Sequence, residues 1–317
     1  MQRRALVTGG CGFIGVHLTK RLLKEGWEVE VVDNFREGDP NRPLPEGVKG
    51  AILWPMDFSD SVILDSIKDK RYDIVFHLAA IPRVAYSVEN PVETTDNNIL
   101  KTVKLFHACV GNVKRVIFSS SSSVYGGIFD GTTVIKPVKE HMARHPKSPY
   151  AWQKAAIEDA ASIFSDLYEL DIVCLRYFNV FGPGQVAESA YSTVICSWCD
   201  AIKNGKPLRL DGNGYQSRDF CYIDNVVDAN ILAAEGSARG GCFNIAGGDR
   251  IPLIRILDYC QQKFSGLEVK EAPNRKGDVR HTLASLEKSK MFFNYEPKVL
   301  FWEGLAKTFD WWGLEPK

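Results

Sequence analysis

Along the first 180 residues, short apolar runs alternate with apolar positions at helical spacing. Arg4 to Thr8 is a short strand, and behind it Phe13, Ile14, His17, Leu18 and Leu22 recur with helical period until Gly26. Val29 to Val32 forms the next strand. Further β-like runs follow at Ala51–Leu53, Ile74–His77, Val116–Ser119 and Ile172–Arg176, with helical patterns at about 60–69, 94–110 and 150–168. Strand alternating with helix predicts an α/β fold, a doubly wound parallel sheet covered on both faces. After about residue 180 the rhythm becomes irregular. The segments 181–217 and 250–317, rich in aromatic and turn residues, predict a smaller C-terminal lobe.

Composition narrows the class. The chain's 317 residues make about two domains or one large α/β unit. Lys plus Arg balance Asp plus Glu at 39 each, which points away from nucleic acid and from membrane surfaces as partners. The apolar run after Arg3-Arg4 stops at Thr8-Gly9-Gly10, too short for a signal peptide, and no window approaches the roughly 18 apolar residues of a membrane span. A cytoplasmic protein is expected. Of eight cysteines only Cys196 and Cys199 have CxxC spacing. No second pair completes a metal site, so no metal is expected and the thiols read as reduced and mostly buried.

Candidate chemistry begins at the first turn. Gly9, Gly12 and Gly15 lie between strand and helix, where glycines let backbone approach a pyrophosphate and the free N–H groups of a helix N-terminus face it. Asp33 closes the second strand 18 residues after Gly15. A carboxylate there can bond both hydroxyls of an adenosine ribose and repels a 2′-phosphate, favouring NAD over NADP.

The Gly9-x-x-Gly12-x-x-Gly15 spacing, together with the later motifs, resembles the extended short-chain dehydrogenase/reductase family over nearly the whole chain, especially its nucleotide-sugar epimerases. The resemblance implies a Rossmann-type doubly wound sheet over residues 1–180, rejoined near 219–245, and a smaller C-terminal substrate-binding lobe mainly over 181–317. It implies that Phe13, Ile14, Asn34 and Phe58 join the glycines at the cofactor. Asp57 matches the adenine-contacting Asp, Leu78-Ala79-Ala80 the strand end beside the cofactor, and Asn98 a structural Asn near the active site. For Asn98, a helix-surface or capping role is an open alternative.

Tyr150 and Lys154, four apart, share one helix face. A phenol of ordinary pKa near 10 is a poor base at neutral pH, and a neighbouring ammonium or a bound nicotinamide cation would lower that value. Upstream, Phe118 to Gly126 is a strand running into a serine-rich turn. By resemblance Ser121 aligns with the family's catalytic hydroxyl, and Lys154 holds the cofactor ribose. Sugar dehydratases of the family carry an Asp-Glu pair after that hydroxyl and decarboxylases a Glu. Here Ser122 and Ser123 stand instead, neutral groups that bind a sugar but cannot serve as carboxyl acid or base.

Three later elements resemble the family's nucleotide-diphosphate signature and imply substrate contacts from Asn179, Arg218, Arg275 and Asp278. Two guanidinium forks on one diphosphate suit its oxygens. Thr282 and Val194 fall at positions implied to line the sugar and nucleotide, and the small Thr leans toward N-acetylated sugars. The activity implied is an NAD-dependent 4-epimerase of a UDP-sugar, UDP-N-acetylglucosamine or UDP-glucose, passing through a transient 4-keto sugar. A UDP-sugar 4,6-dehydratase, a UDP-glucuronate decarboxylase or epimerase, and a catalytically idle nucleotide sensor stay open. A homodimer packed through the helices near 94–110 and 150–168 is implied by resemblance.

Overall fold

The computed structural model describes residues 2–35, 45–127, 136–186, 193–273 and 279–315. In chain order the first half is β1 (Arg4–Thr8), α1 (Phe13–Lys24), β2 (Glu28–Val32), β3 (Ile52–Trp54), α2 (Ser61–Lys68), β4 (Ile74–His77), α3 (Val84–Glu89), α4 (Pro91–Thr95), α5 (Lys101–Cys109), β5 (Arg115–Ser121), α6 (Pro149–Tyr168) and β6 (Ile172–Tyr177). Then come β7 (Val180–Phe181), α7 (Val194–Lys203), β8 (Leu208–Asp211), β9 (Ser217–Asp219), β10 (Cys221–Tyr222), α8 (Ile223–Glu235), β11 (Cys242–Ile245), β12 (Arg250–Pro252), α9 (Leu253–Lys263), β13 (Val269–Ala272), α10 (Glu287–Phe293) and α11 (Phe301–Trp312).

Seven strands form one parallel sheet in the order β3-β2-β1-β4-β5-β6-β11. The strands β4 and β6 are buried along their whole length, as both-face coverage by helices requires. The α/β alternation expected from the apolar pattern is the one found. One apolar core, from Leu18 and Phe76 through Phe181 to Trp198 and Phe309, lies against one face and continues into the C-terminal helices. A second, with Ile63, Phe106, Phe118 and Ile157, covers the other face. The last sheet strand, β11, comes late in the chain and pairs with β6 at Cys242–Cys174.

The order reverses between β1 and β4. In doubly wound sheets ligands bind outside the strand ends at such a switch point. Two short pairs flank that end, parallel β8 with β13 and antiparallel β9 with β12. The helical pattern near 94–110 is interrupted: α4 and α5 are joined by one wide π-helical turn, Asp96–Leu100. Among the described residues no helix is long and apolar enough to cross a membrane. Cys196 and Cys199 lie buried on α7, and Cys11 is buried in the first turn.

Candidate active site

A cleft of ≈1530 Å³ opens at the switch point. It brings together Gly9, Gly12, Phe13, Ile14, Gly15, Asp33, Asn34, Phe58, Leu78, Ala79 and Ala80 with Ser121, Ser122, Ser123, Tyr150, Lys154, Asn179, Val194, Arg218 and Thr282. Two predicted contacts are not on its wall. Asp57 is ion-paired with Lys101 at 2.7 Å and hydrogen-bonded to Asn34, which does line the cleft. Asn98 is buried; it accepts from Ile81 N at 2.8 Å and donates to Ile81 O at 3.1 Å and Gln153 Oε1 at 2.8 Å. That geometry is structural: Asn98 pins the loop after β4 to α6. Arg275 and Asp278 lie outside the described residues.

The glycine turn explains its own composition. Gly9 has φ +68°, and a Cβ there would stand 2.8 Å from Ala79 N, so the ends of β1 and β4 touch through bare backbone. A Cβ at Gly15 would lie 2.2 Å from Gly9 O. Gly12 caps α1, whose N-terminal N–H groups carry the positive end of the helix dipole toward the cleft. Asp33 accepts from Cys11 N at 3.0 Å and Phe35 N at 2.9 Å, fixing its carboxylate at the end of β2. A glycine-rich turn, a helix N-terminus and a held carboxylate fit a dinucleotide diphosphate and ribose. At Asp57, burial pushes the carboxyl up, but Lys101 and the Ser59 N–H and hydroxyl hold it below its ordinary value.

Lys154 is buried under the cleft floor, its Nζ donating to Ser119 O at 2.6 Å and lying 4.7 Å from the Phe118 ring. Burial lowers it to about 8, so it is still mostly an ammonium at neutral pH. Tyr150 is held at the first turn of α6, where Ser148 and Pro149 start the helix and Tyr150 N donates to Ser87 Oγ at 3.1 Å. Burial pushes its phenol up to about 12, partly offset by the hydrogen bond from Ser121. The Lys154 Nζ stands 5.9 Å from the Tyr150 ring. Hydroxyl, phenol and ammonium therefore line one cleft, and burial keeps the phenol protonated. Among the described residues the buried Ser123 hydroxyl has no hydrogen-bond partner.

Behind the reacting groups, His77 is clamped between Thr8 Oγ1 at 2.7 Å and Thr102 Oγ1 at 2.9 Å, and burial drives it down to about 3. It is a neutral strut between β4, β1 and α5. On the opposite wall, Asn179 Nδ2 donates to Asp219 O at 2.8 Å and Thr282 Oγ1 at 3.2 Å. The buried Asp219 carboxylate accepts from Gly247 N, Gly248 N and Ala284 N at 3.0–3.1 Å. Desolvation raises it to about 7 against those three bonds. Sequence reasoning gave a role to Arg218 and none to its neighbour Asp219. No local signal could have done so, because the three N–H groups come from distant segments. Arg218 Nη1 donates to Ser217 O and Arg280 O, with His281 beside it on the cleft wall.

The model of the family described as "NAD dependent epimerase/dehydratase family" matches residues 5–246. A solved UDP-N-acetylglucosamine 4-epimerase from Methanobrevibacter ruminantium M1, in complex with UDP-N-acetylmuramic acid, is 38% identical with a TM-score of 0.88 over 98% of each chain. The Thermus thermophilus UDP-glucose 4-epimerase complex with NAD is 32% identical with a TM-score of 0.86, over 98% of this chain and 99% of that one. Among curated relatives, the UDP-N-acetyl-alpha-D-glucosaminuronate decarboxylase of Bacillus cytotoxicus is 31% identical over 98% of each chain.

Proposed function

The chain belongs to the NAD dependent epimerase/dehydratase family, and from that premise we propose that it interconverts the C4 epimers of a UDP-sugar. It is an NAD-dependent isomerase by its relatives, and UDP-sugar epimerase or decarboxylase activity is the coarse class. The observation that carries the finer reading is that Ser121, Tyr150 and Lys154 line the dinucleotide cleft with the carboxyl-free Ser122 and Ser123 beside them. NAD⁺, when bound, supplies a reversible hydride acceptor and a positive charge beside the phenol.

The chain's own residues do the rest. The glycine turn and the start of α1 hold the diphosphate, and Asp33 holds the adenosine ribose. Lys154 holds the second ribose and, as an ammonium, lowers the cost of a Tyr150 phenolate. Tyr150 takes the proton of the sugar 4-OH as C4 becomes a ketone, with Ser121 bridging, and later returns it to the same oxygen. Arg218, Asn179 and Arg275 are assigned to the UDP diphosphate, and Asp278 is assigned to the substrate. Ser122 and the free Ser123 hydroxyl offer hydrogen bonds to the sugar but no carboxyl acid or base for eliminating water. Thr282, small on the cleft wall, leaves space at C2 and favours an N-acetylhexosamine.

A UDP-sugar decarboxylase is the second reading, favoured by the likeness to the Bacillus cytotoxicus relative. We place the reaction in the cytoplasm, whose reducing medium suits a chain with buried thiols. A homodimer is supported by apolar side chains left exposed on α4 and α6, Val92 at 83% and Leu167 at 71%. The deciding experiment incubates the NAD-loaded protein separately with UDP-glucose, UDP-N-acetylglucosamine and UDP-glucuronate and reads products by proton NMR. A 4-epimer with unchanged mass is expected. Loss of CO₂ or of water would replace the epimerase reading by the decarboxylase or the dehydratase.

A further inference from the structure

At the end of β5, Ser119 and Ser120 are tied to successive turns of α6, next to Ser121. Ser121 lines the cleft together with Tyr150, Ser119 O accepts from Lys154 Nζ at 2.6 Å, and Ser120 Oγ donates to Glu158 Oε1 at 2.6 Å. Tyr150, Lys154 and Glu158 are four residues apart and form one stripe along the helix. The third member is the unexplained one. Glu158 is 4% exposed, and Arg176 on β6, 3% exposed, grips it through Nε to Oε1 at 2.8 Å and Nη2 to Oε2 at 2.7 Å. Arg144 Nη1 reaches the same carboxylate at 3.3 Å. The remaining arm of Arg176 donates to Tyr125 OH at 2.8 Å, and that hydroxyl donates to Asn244 Oδ1 on β11 at 2.7 Å.

A buried ion pair contributes little stability over a well-packed apolar pair, so stability alone does not account for this one. Its placement does. One carboxylate joins α6, β6 and the β5 residue that directly precedes Ser121. The titratable groups facing Lys154 are Tyr150 and Glu158 on α6, His77 on β4 and Cys174 on β6. Burial keeps His77 neutral and the Tyr150 phenol protonated, the hydrogen bond with Cys242 and burial keep Cys174 a thiol, and Glu158 is the carboxylate among them, ion-paired with Arg176.

We propose that Glu158 is a positioning residue of the reacting centre: through Ser120 and Arg176 it sets where Ser121 stands against Tyr150, and its charge supports the Lys154 ammonium. The inference rests on Tyr150 and Lys154 being the reacting pair. The test uses the NAD-loaded full chain with Ser120→Ala, Glu158→Gln, Glu158→Asp and Tyr150→Phe. Because a misplacement near 1 Å costs about a hundredfold, Ser120→Ala and Glu158→Gln should lose about ten- to a hundredfold in kcat. The KM for UDP-sugar and the calorimetric Kd for NAD should stay at parental values. In Glu158→Gln the alkaline limb of the kcat profile should also move to lower pH, since Lys154 loses the charge that favours its protonated form. Glu158→Asp, which keeps the charge but withdraws from Ser120, should lose kcat and keep the parental limb.

A folded Ser120→Ala with parental kcat overturns the proposal, and does so even if Glu158→Gln fails to fold. An unmoved alkaline limb in a folded Glu158→Gln also overturns it. Parental turnover in Tyr150→Phe would instead overturn the reading of the reacting pair, and the inference with it.

Discussion

A single methyl group at position 15 would land 2.2 Å from Gly9 O and 2.5 Å from Gly10 Cα, both backbone atoms that cannot step aside cheaply. Gly15→Ala should therefore cost about 1–3 kcal/mol in urea unfolding, as overpacking does. Its NAD affinity by calorimetry should fall, because the distorted turn no longer presents the N–H groups of α1. Parental affinity would show that the turn is not the diphosphate cradle. At Tyr150 the loss is chemical and leaves packing intact. Tyr150→Phe removes one hydroxyl, and turnover should drop by about 10²–10⁴-fold while NAD binding is spared. Both residues stand out in the bare sequence, since spacing alone puts glycines in a turn and Tyr above Lys on a helix. Asp219 does not, although its carboxylate ties Gly247, Gly248 and Ala284 into one corner of the cleft.

Elements place these residues, and the π-helical turn between α4 and α5 shows how. The extra residue in that turn accompanies two inward neighbours, Asn97 and Asn98, both buried. Asn98 then satisfies both the N–H and the C=O of Ile81, on the loop that leaves β4 and lines the cleft. Asn98→Ala leaves those two groups and Gln153 Oε1 without this partner, and should destabilise the protein by about 1–3 kcal/mol in urea titration. The NAD affinity should weaken as well, since the loop's anchor is gone. Parental stability in a folded variant would mean that the loop holds its place without this anchor. An apolar pattern at 94–110 announces a helix; it does not announce where the helix widens.

The whole molecule adds a pH dependence, and the proposed homodimer is tested at the same scale. His77 is held at about 3 in the folded chain against 6.5 when unfolded. A depressed value means the unfolded chain takes up a proton first as pH falls. The contribution of His77 is thus fully present above about 6.5 and is lost toward 3, with a slope of at most about 1.4 kcal/mol per pH unit. Urea midpoints of the parent and His77→Gln, compared from pH about 7 to about 4, should show a shallower fall in the variant. Equal slopes would exclude the buried imidazole as the cause. For association, light scattering should give twice the 35.5 kDa chain mass. Leu167→Arg on the exposed stretch of α6 should halve it with the fold intact. A parental mass in that variant would move the interface elsewhere.

Periodicity is a local property, so the order of residues was enough for the strand and helix alternation, the glycine turn and the Tyr150–Lys154 stripe. Each depends on neighbours within one or two turns. What the chain could not announce is which segments come to lie side by side. Ser120 and Glu158 are 38 residues apart, Asp219 and Ala284 65, and Arg176 meets Glu158 only because β6 lies next to β5 under α6. β11, arriving from beyond residue 240, completes the sheet and brings Asn244 to Tyr125. Hydrogen bonds between buried groups act over about 3 Å, and that adjacency exists only once the sheet has closed over its core.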